Sequence, residues 1–327
     1  MNSYSTNSIL RKGLIDWYKE YKRDLPWRHT INPYQIWISE IILQQTRIDQ
    51  GLSYYERFIS DFPDVASLAA APLEKVLKDW QGLGYYSRAR NLHETAKRIV
   101  SDFGGQFPDN YEQLLKLKGI GTYTAAAIAS FAYKQPHAVL DGNVFRVLSR
   151  LFLIDTPIYS TKGKKEFAAL AETLLDPDQP DTYNQAIMDF GALQCTPSNP
   201  GCENCPLSAL CLAYKAGCTT DLPVRKITLP KQDRYFYYLV CHDSQQTWLK
   251  ERTAKDIWQH LWEFPLVETE QEIAIDELLG KAEVVDWIGQ SSTVHTIARF
   301  RHVLSHQIIH ATFIPVSVTN ITGLSGD

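Results

Sequence analysis

Apolar residues recur at intervals of three and four along the first two-thirds of the chain, which is the spacing of an α-helix buried on one face. Leu14, Trp17 and Tyr18 follow this spacing, and Ile36, Trp37 and Ile41 repeat it. Residues 8–215 contain no sustained alternation of apolar and polar positions, so the pattern predicts an all-α region. Further helices are predicted at residues 86–101, 122–134, 143–153, 163–175 and 182–193.

The pattern changes after a charged segment, Thr219–Lys231, that contains two prolines and is typical of a linker between domains. Tyr235–His242 (YFYYLVCH) then predicts a β-strand because β-branched and aromatic residues dominate it. Strands are also predicted at Thr247–Lys250 and Ile308–Ile314, and a helix at Glu270–Gly280. We therefore expect a helical domain at 1–218, a linker at 219–231 and an α+β domain at 232–327.

Composition excludes several classes of protein. The 327 residues are 44% hydrophobic and 21% charged, which is ordinary for a globular chain and excludes disorder throughout. No apolar run reaches the ~18 residues needed to cross a bilayer, and the N-terminus lacks the pattern of a secretory signal. We expect a cytoplasmic protein with no membrane partner. Its six cysteines should be reduced unless a metal holds them.

Net charge is unevenly distributed. The chain carries a formal charge of −4, but residues 1–230 are close to neutral and residues 231–327 hold the acidic excess. A near-neutral domain can still present a basic face to phosphates, because the distribution of charge matters more than its sum.

Four cysteines fall within seventeen residues with the spacing C-x6-C-x2-C-x5-C. Four thiolates on one compact loop can hold an iron–sulfur cubane. A zinc site is an alternative, although zinc knuckles usually pair two CxxC units and this chain has one. Unligated buried thiols are a third alternative. The four residues are Cys195, Cys202, Cys205 and Cys211.

The segment Leu117–Gly121 (LKGIG) lies between two predicted helices. Gly119 and Gly121 permit a tight turn, and the free N–H groups at the start of the following helix can bind a phosphate without reading sequence. A packing corner between two helices would use the same residues. About twenty residues later, Asp141 precedes a predicted helix, where Asp is usually the N-cap.

Glu40 is surrounded by apolar residues in IWISEIILQQ. Desolvation there should raise the pKa of the carboxyl and make it a proton donor near neutral pH, unless an ion pair compensates for burial. The amides of Gln44 and Gln45 follow one turn later and suit contacts to base edges. Tyr85, in GLGYYSR, can stack on a base or pack in the core.

Taken together, these residues resemble one family, the MutY adenine DNA glycosylases of the helix-hairpin-helix superfamily. The resemblance is carried by LPWRHTINPYQIWISEIILQQTRI, GLGYYSRARNLH, LKGIGTYTAAAIASFAY, LDGNVFRVLSRLF, MDFGALQCTPSNPGCENCPL and LWEFP. It implies a mostly α, two-lobed glycosylase domain with a [4Fe-4S] loop. It also implies a C-terminal domain related to the MutT (Nudix) fold.

The resemblance also implies roles for individual residues. Glu40 matches the acid that protonates adenine at N7, and Asp141 matches the carboxylate that stabilises the positively charged sugar. Tyr123 matches the tyrosine that lies beside these two, and Asn143 matches the amide that helps to position the acid. The residues expected to bind DNA or the flipped base are Gln45, Tyr85, Arg28, Trp27, Gln185, Gly119, Gly121, Ser305 and His306. Gln185 stands where some members carry Glu, and Leu304 replaces the Phe that precedes Ser-His in the family.

The expected substrate is double-stranded DNA with adenine opposite 8-oxoguanine or guanine, bound by a monomer at the nucleoid of a bacterium. Endonuclease III, a sister branch, is the main alternative, but the lysine with which it forms a Schiff base is replaced here by Thr122-Tyr123. We therefore expect a monofunctional enzyme that leaves an abasic site. A binding protein without turnover is a further alternative. The C-terminal domain lacks the clustered glutamates of Nudix hydrolases, so pyrophosphate hydrolysis is not expected there.

Overall fold

The computed structural model describes residues 3–224, 230–243, 245–288 and 292–318. Its internal contacts divide the chain into two compact units, Met1–Lys226 and Ile227–Asp327. The predicted linker at 219–231 spans this division, and its residues 225–229 lie outside the described residues.

The described part of the first unit is helical, as predicted. A short 3-10 turn at Pro26–Arg28 follows the first helix, and a π-helical turn at Phe190–Gln194 follows the eleventh. The α-helices are α1 (Ser3–Tyr21), α2 (Pro33–Ile42), α3 (Ile48–Asp61), α4 (Val65–Ala70), α5 (Leu73–Asp79), α6 (Ser87–Phe103), α7 (Tyr111–Leu114), α8 (Thr122–Tyr133), α9 (Gly142–Phe152), α10 (Thr161–Leu174), α11 (Pro180–Asp189) and α12 (Leu212–Lys215).

Two helix starts set the positions of the functional carboxyls. Asn32 caps α2 by accepting a hydrogen bond from the Tyr34 N–H at 2.9 Å, and Pro33 occupies the first helical position. Asp141 caps α9 through the Val144 N–H at 2.7 Å. Helix α2 packs against α8. Residues 125–127 of α8 are buried alanines, which allow close approach of the two helices.

The second unit is α+β, which confirms the prediction. Its elements are β1 (Gln232–His242), β2 (Lys250–Glu251), β3 (Trp262–Glu263), β4 (Leu266–Thr269), α13 (Ile275–Leu279), α14 (Ala282–Ile288), β5 (Thr293–Val294), β6 (Ala298–Val303) and β7 (Gln307–Ser317). The main sheet has the order β4-β1-β7-β5, and β6 also pairs with β7. Strands β1 and β7 are parallel, with Gln232 opposite Gln307.

Alternate side chains of β1 are buried on opposite faces of this sheet, because successive side chains of a strand point to opposite sides. Tyr237, Leu239 and Cys241 belong to an apolar cluster that includes residues of α13 and α14. Phe236 and Tyr238 belong to a second cluster that includes Ile309.

The bounds predicted for one strand and one helix of the second unit were wrong. In the expected strand Thr247–Lys250, Thr247 forms only an isolated bridge with His242, and Lys250 begins β2. The helix expected at Glu270–Gly280 is limited to Ile275–Leu279. The Thr269 hydroxyl donates to the Gln271 carbonyl at 2.7 Å, and this turn occupies the segment where the first helical residues were expected. Within the described residues, no helix is long and apolar enough to span a membrane.

Candidate active site

A cleft of about 910 Å³ in the first unit gathers the four residues expected to be catalytic and four of those expected to bind DNA or the base. Its lining combines side chains from α2, α8, α9 and α11 with the turns that follow α2 and α11. The predicted residues among them are Trp27, Arg28, Glu40, Gln45, Tyr123, Asp141, Asn143 and Gln185.

Glu40 is a buried carboxyl, 7% exposed, on a helix whose neighbouring positions are apolar. Burial raises its pKa to about 7, and the nearby charge of Asp141 acts in the same direction. The Tyr123 side chain hydrogen-bonds to Glu40 and, with the positive charge of Arg28, opposes the shift. A substantial fraction of Glu40 is therefore protonated at neutral pH, as a proton donor requires.

Asp141 has surroundings that favour its ionised form more than those of Glu40 do. Burial is the largest influence and leaves its pKa raised, but the Val144 N–H donates to Oδ1 at 2.7 Å and the Asn143 amide donates to Oδ2 at 2.8 Å, and both hydrogen bonds partly offset that shift. The two acids thus differ in the number of hydrogen bonds that stabilise a negative charge.

Asn143 is itself held in place by Arg146, which the sequence did not single out. The Arg146 guanidinium donates to Asn143 Oδ1 at 2.9 Å, so the amide must turn its nitrogen toward Asp141. Arg146 also donates to the carbonyls of Gly191 at 2.7 Å and Cys195 at 2.8 Å. A chain of hydrogen bonds therefore joins the start of the cysteine loop to Asp141.

A buried ion pair fixes one wall of the cleft. Asp189 is fully buried and bridges Arg23 and Arg28, with Arg28 Nη2 at 2.7 Å from Oδ1. Burial alone would raise the pKa of Asp189, but the two guanidinium groups lower it. Beside them, the Tyr18 hydroxyl donates to Gln185 Oε1 at 2.7 Å. The acidic residue of the segment MDFGA, Asp189, was the only indication in the sequence of this buried ion pair.

Two of the residues expected to bind DNA or the flipped base, Gln45 and Tyr85, lie on exposed turns. Gln45 follows α2 and lines the cleft, and Tyr85 precedes α6 and is 47% exposed. Both adopt positive φ, +57° for Gln45 and +48° for Tyr85, which non-glycine residues rarely do.

The hairpin glycines lie outside the residues that line this cleft. Gly119 has a φ of +78°, and a Cβ there would approach the Asn91 Cβ to 2.9 Å. The turn is attached to α6 by the Thr95 hydroxyl, which donates to the Lys118 carbonyl at 2.7 Å. Gly121 caps α8 in extended conformation, so the N–H groups of the first turn of α8 follow the hairpin directly.

The four clustered cysteines are free thiols that line one small cavity. Burial raises the pKa of Cys205 to about 11, with smaller contributions from the neighbouring cysteines. Arg150 donates to the Cys195 sulfur at 3.4 Å and to the Thr196 carbonyl at 2.7 Å. Among the described residues, no group of three or more His, Cys, Asp or Glu side chains is arranged to hold a metal ion.

Ser305 and His306 lie in the second unit, on the turn between β6 and β7, and both are exposed. The Leu304 N–H donates to the Gln307 carbonyl at 2.9 Å and closes the turn. The half-buried Leu304 side chain packs against the cluster that contains Phe236.

Comparison with known proteins agrees with this geometry. Residues 38–177 match the family model of the HhH-GPD superfamily base excision DNA repair proteins, and residues 236–325 match that of the NUDIX domain. The chain is 33% identical to an adenine DNA glycosylase of Buchnera aphidicola subsp. Baizongia pistaciae, across 98% of this chain and 90% of the relative. It is 34% identical to that of subsp. Schizaphis graminum, across 95% and 87%.

The fold of the first unit is also found in a solved structure. A thermostable thymine-DNA glycosylase superposes with a TM-score of 0.62 at 31% identity, across 66% of this chain and all of that one.

Proposed function

The chain belongs to the adenine DNA glycosylases, and from this premise we propose that it hydrolyses the N-glycosidic bond of adenine opposite 8-oxoguanine or guanine. The observation that carries the proposal is the pair of acids lining one cleft, Glu40 and Asp141. Burial raises the pKa of both, but Asp141 accepts more hydrogen bonds that stabilise its anion, and such a difference between two carboxyl groups is what glycosidic bond cleavage requires.

Glu40 supplies the proton. An adenine anion is a poor leaving group, and protonation of the ring at N7 allows it to depart as a neutral base. The pKa of about 7 supports this role, because the carboxyl is both protonated and acidic enough to donate near neutral pH. The Tyr123 hydroxyl orients Glu40 through their hydrogen bond.

Asp141 stabilises the sugar. As the base leaves, positive charge develops on the ring, and a carboxylate held in a fixed, largely buried position stabilises it more strongly than one in bulk water would. The hydrogen bonds from Val144 and Asn143 hold the carboxylate in a fixed orientation, so little reorganisation is needed during the reaction.

The cleft receives adenine after it leaves the base stack. Unstacking a base costs a few kcal/mol, which residues inserted into the duplex offset. Gln45 and Tyr85 are the proposed inserted residues, and their exposure on turns supports this role. Trp27, Arg28 and Gln185 are the proposed walls of the base pocket. Gly119 and Gly121 are the proposed contacts to a phosphate through the hairpin backbone.

The proposed enzyme is monofunctional. Strand cleavage by a Schiff base needs an amine at the reacting sugar, whereas the side chain at this point of α8 is the Tyr123 phenol, which lines the cleft beside Glu40. The product is then an intact strand with an abasic site.

Cys195, Cys202, Cys205 and Cys211 are the proposed ligands of a [4Fe-4S] cluster. Four cysteines lining a common cavity have the donor chemistry for such a cluster. When bound, it would cross-link the loop whose first carbonyl accepts a hydrogen bond from Arg146.

Ser305 and His306 are the proposed contacts to the damaged guanine, and their exposure on a tight turn supports this role. We place the protein with its DNA substrate at the nucleoid, acting as a monomer.

The test uses an end-labelled duplex with one adenine opposite 8-oxoguanine, incubated with the purified holoprotein and analysed with and without alkali. Scission at the adenine only after alkali is expected. Scission without alkali would indicate a lyase, and absence of scission would favour a protein that binds damage without turnover.

A further inference from the structure

Arg88, in the first turn of α6, donates to an unusually large set of backbone carbonyls. Its Nη1 lies 2.8 Å from the Ile41 carbonyl, 3.1 Å from that of Ile42 and 2.6 Å from that of Gln44. Its Nη2 lies 3.3 Å from the Leu83 carbonyl and 3.2 Å from that of Gly84. One guanidinium therefore bridges two separate segments of chain.

The two segments are the turns that present Gln45 and Tyr85. The Ile41 and Ile42 carbonyls lie at the end of α2, and the Gln44 carbonyl lies in the turn immediately before Gln45. The other two belong to the turn immediately before Tyr85. Both residues have positive φ, which is unfavourable for a side chain with a Cβ and persists only where the surroundings enforce it. Arg88 is the group that both turns share.

Arg88 is committed to this bridge. Within the described residues no carboxylate contributes to its electrostatic surroundings, and its buried Nε has no hydrogen-bond partner. Its guanidinium lies over the Trp80 ring at 5.2 Å and over the Tyr85 ring at 5.8 Å. A planar fork with several donors can reach both turns at once, whereas a lysine ammonium is a compact point charge.

We propose that Arg88 is a positioning residue for base flipping, which locks the Gln45 turn and the Tyr85 turn into one rigid wedge. The inference rests on the proposed insertion of these two residues into the duplex. Inserted side chains displace a base only if they keep their positions in the duplex. Two turns that move independently would shift apart when the base stack resists insertion. The same bridge attaches the wedge to the end of α2, so the inserted residues and Glu40 keep a fixed spacing.

The first test examines the bridge without DNA. Amide hydrogen exchange is followed by mass spectrometry in the holoprotein and in Arg88→Met. Arg98→Met serves as the matched control, because Arg98 lies on the same helix and pairs with Asp102 at the surface. Arg88→Met is expected to accelerate exchange at least tenfold in both residues 43–47 and residues 82–86, and Arg98→Met in neither. Unchanged exchange, or acceleration in one segment alone, would overturn the bridge.

The second test measures flipping. 2-Aminopurine, which becomes fluorescent when unstacked, replaces the target adenine opposite 8-oxoguanine, and each Arg88 substitution is combined with Glu40→Gln to prevent excision. At saturating protein, the fluorescence gain of the Arg88→Met variant is expected to be at least fivefold smaller than that of the parent protein. Its affinity for the duplex, measured by fluorescence anisotropy, is expected to stay within tenfold of the parent's. A full gain from Arg88→Met would overturn the positioning role.

Two further comparisons keep the outcomes distinct. Arg88→Lys, which retains the charge and a single donor group, is expected to give an intermediate fluorescence gain. It replaces Arg88→Met if circular dichroism shows that the latter variant does not fold. If the parent protein gives no fluorescence gain, flipping itself and therefore the proposed function fails, whereas the exchange measurement still decides whether Arg88 joins the two turns.

Discussion

The two carboxyl groups of the cleft show how the same functional group acquires different tendencies to ionise. Glu40 has apolar neighbours along α2 and one hydrogen bond, from Tyr123, whereas Asp141 caps a helix and accepts from an amide as well. Desolvation acts on both, but only Asp141 has several donors that stabilise its anion. The proposed division between acid and electrostatic stabiliser thus follows from local surroundings.

The pKa of Glu40 predicts the pH dependence of excision. Because the protonated form donates, the single-turnover rate should be maximal below pH 7 and fall about tenfold per pH unit well above it. Rates measured between pH 5.5 and 9 under saturating protein would check this. A rate that stays constant from pH 6 to 9 would be inconsistent with Glu40 as the donor.

At this scale the sequence predicted the acids but not their supports. The apolar neighbours of Glu40 and the position of Asp141 before a helix are visible in the sequence. The supporting roles of Arg146, Asp189 and Tyr18 are not, because most of their partners lie 45 or more residues away. The contact of Arg146 with Asn143 is close in sequence, but it depends on packing that no local pattern encodes.

Among the elements, the π-helical turn after α11 packs directly against a residue of the site. It brings Gly191 against Asn143, so closely that a Cβ at Gly191 would lie 2.7 Å from the Asn143 Cβ and 2.9 Å from its carbonyl oxygen. Helix periodicity predicted a helix through residue 193, because a change from α to π hydrogen bonding leaves the apolar spacing almost unaltered. The close approach of Gly191 to Asn143 could therefore not be predicted from the sequence.

Gly191→Ala should therefore displace Asn143 and disturb Asp141. We expect overpacking to cost about 1–3 kcal/mol of stability and excision to fall at least tenfold, while duplex binding persists. Gly13→Ala is the control, because its Cβ would meet the Leu207 side chain at 2.9 Å elsewhere in the same unit. Equal losses of excision in the two variants, at equal loss of stability, would contradict a specific effect on Asn143.

For the whole molecule, the sequence predicted a helical part followed by an α+β part, and the structure confirms both. The change of pattern from helical spacing to a β-rich run carried this prediction. The pairing of β1 with β7 could not be predicted, because parallel strands far apart in sequence leave no local trace of their register.

The second unit should control recognition of the opposite base. Ser305→Ala with His306→Ala is expected to lower excision opposite 8-oxoguanine at least tenfold and to leave excision opposite guanine within threefold. The reason is that lost hydrogen bonds to the lesion matter only where the lesion is present. Gln245→Ala, at another exposed turn of the same unit, is the control. Equal losses on both duplexes would argue against lesion recognition by this turn.

The account depends most on acid catalysis by Glu40, and comparison of Glu40→Gln with the wild-type protein tests it directly. The measurement is single-turnover excision of adenine opposite 8-oxoguanine, with affinity for the same duplex measured in parallel. A neutral amide of the same shape cannot supply the proton, so excision should fall by about 10²–10⁴-fold or more while affinity stays within threefold. Residual excision within tenfold of wild type, at unchanged affinity, would contradict the account.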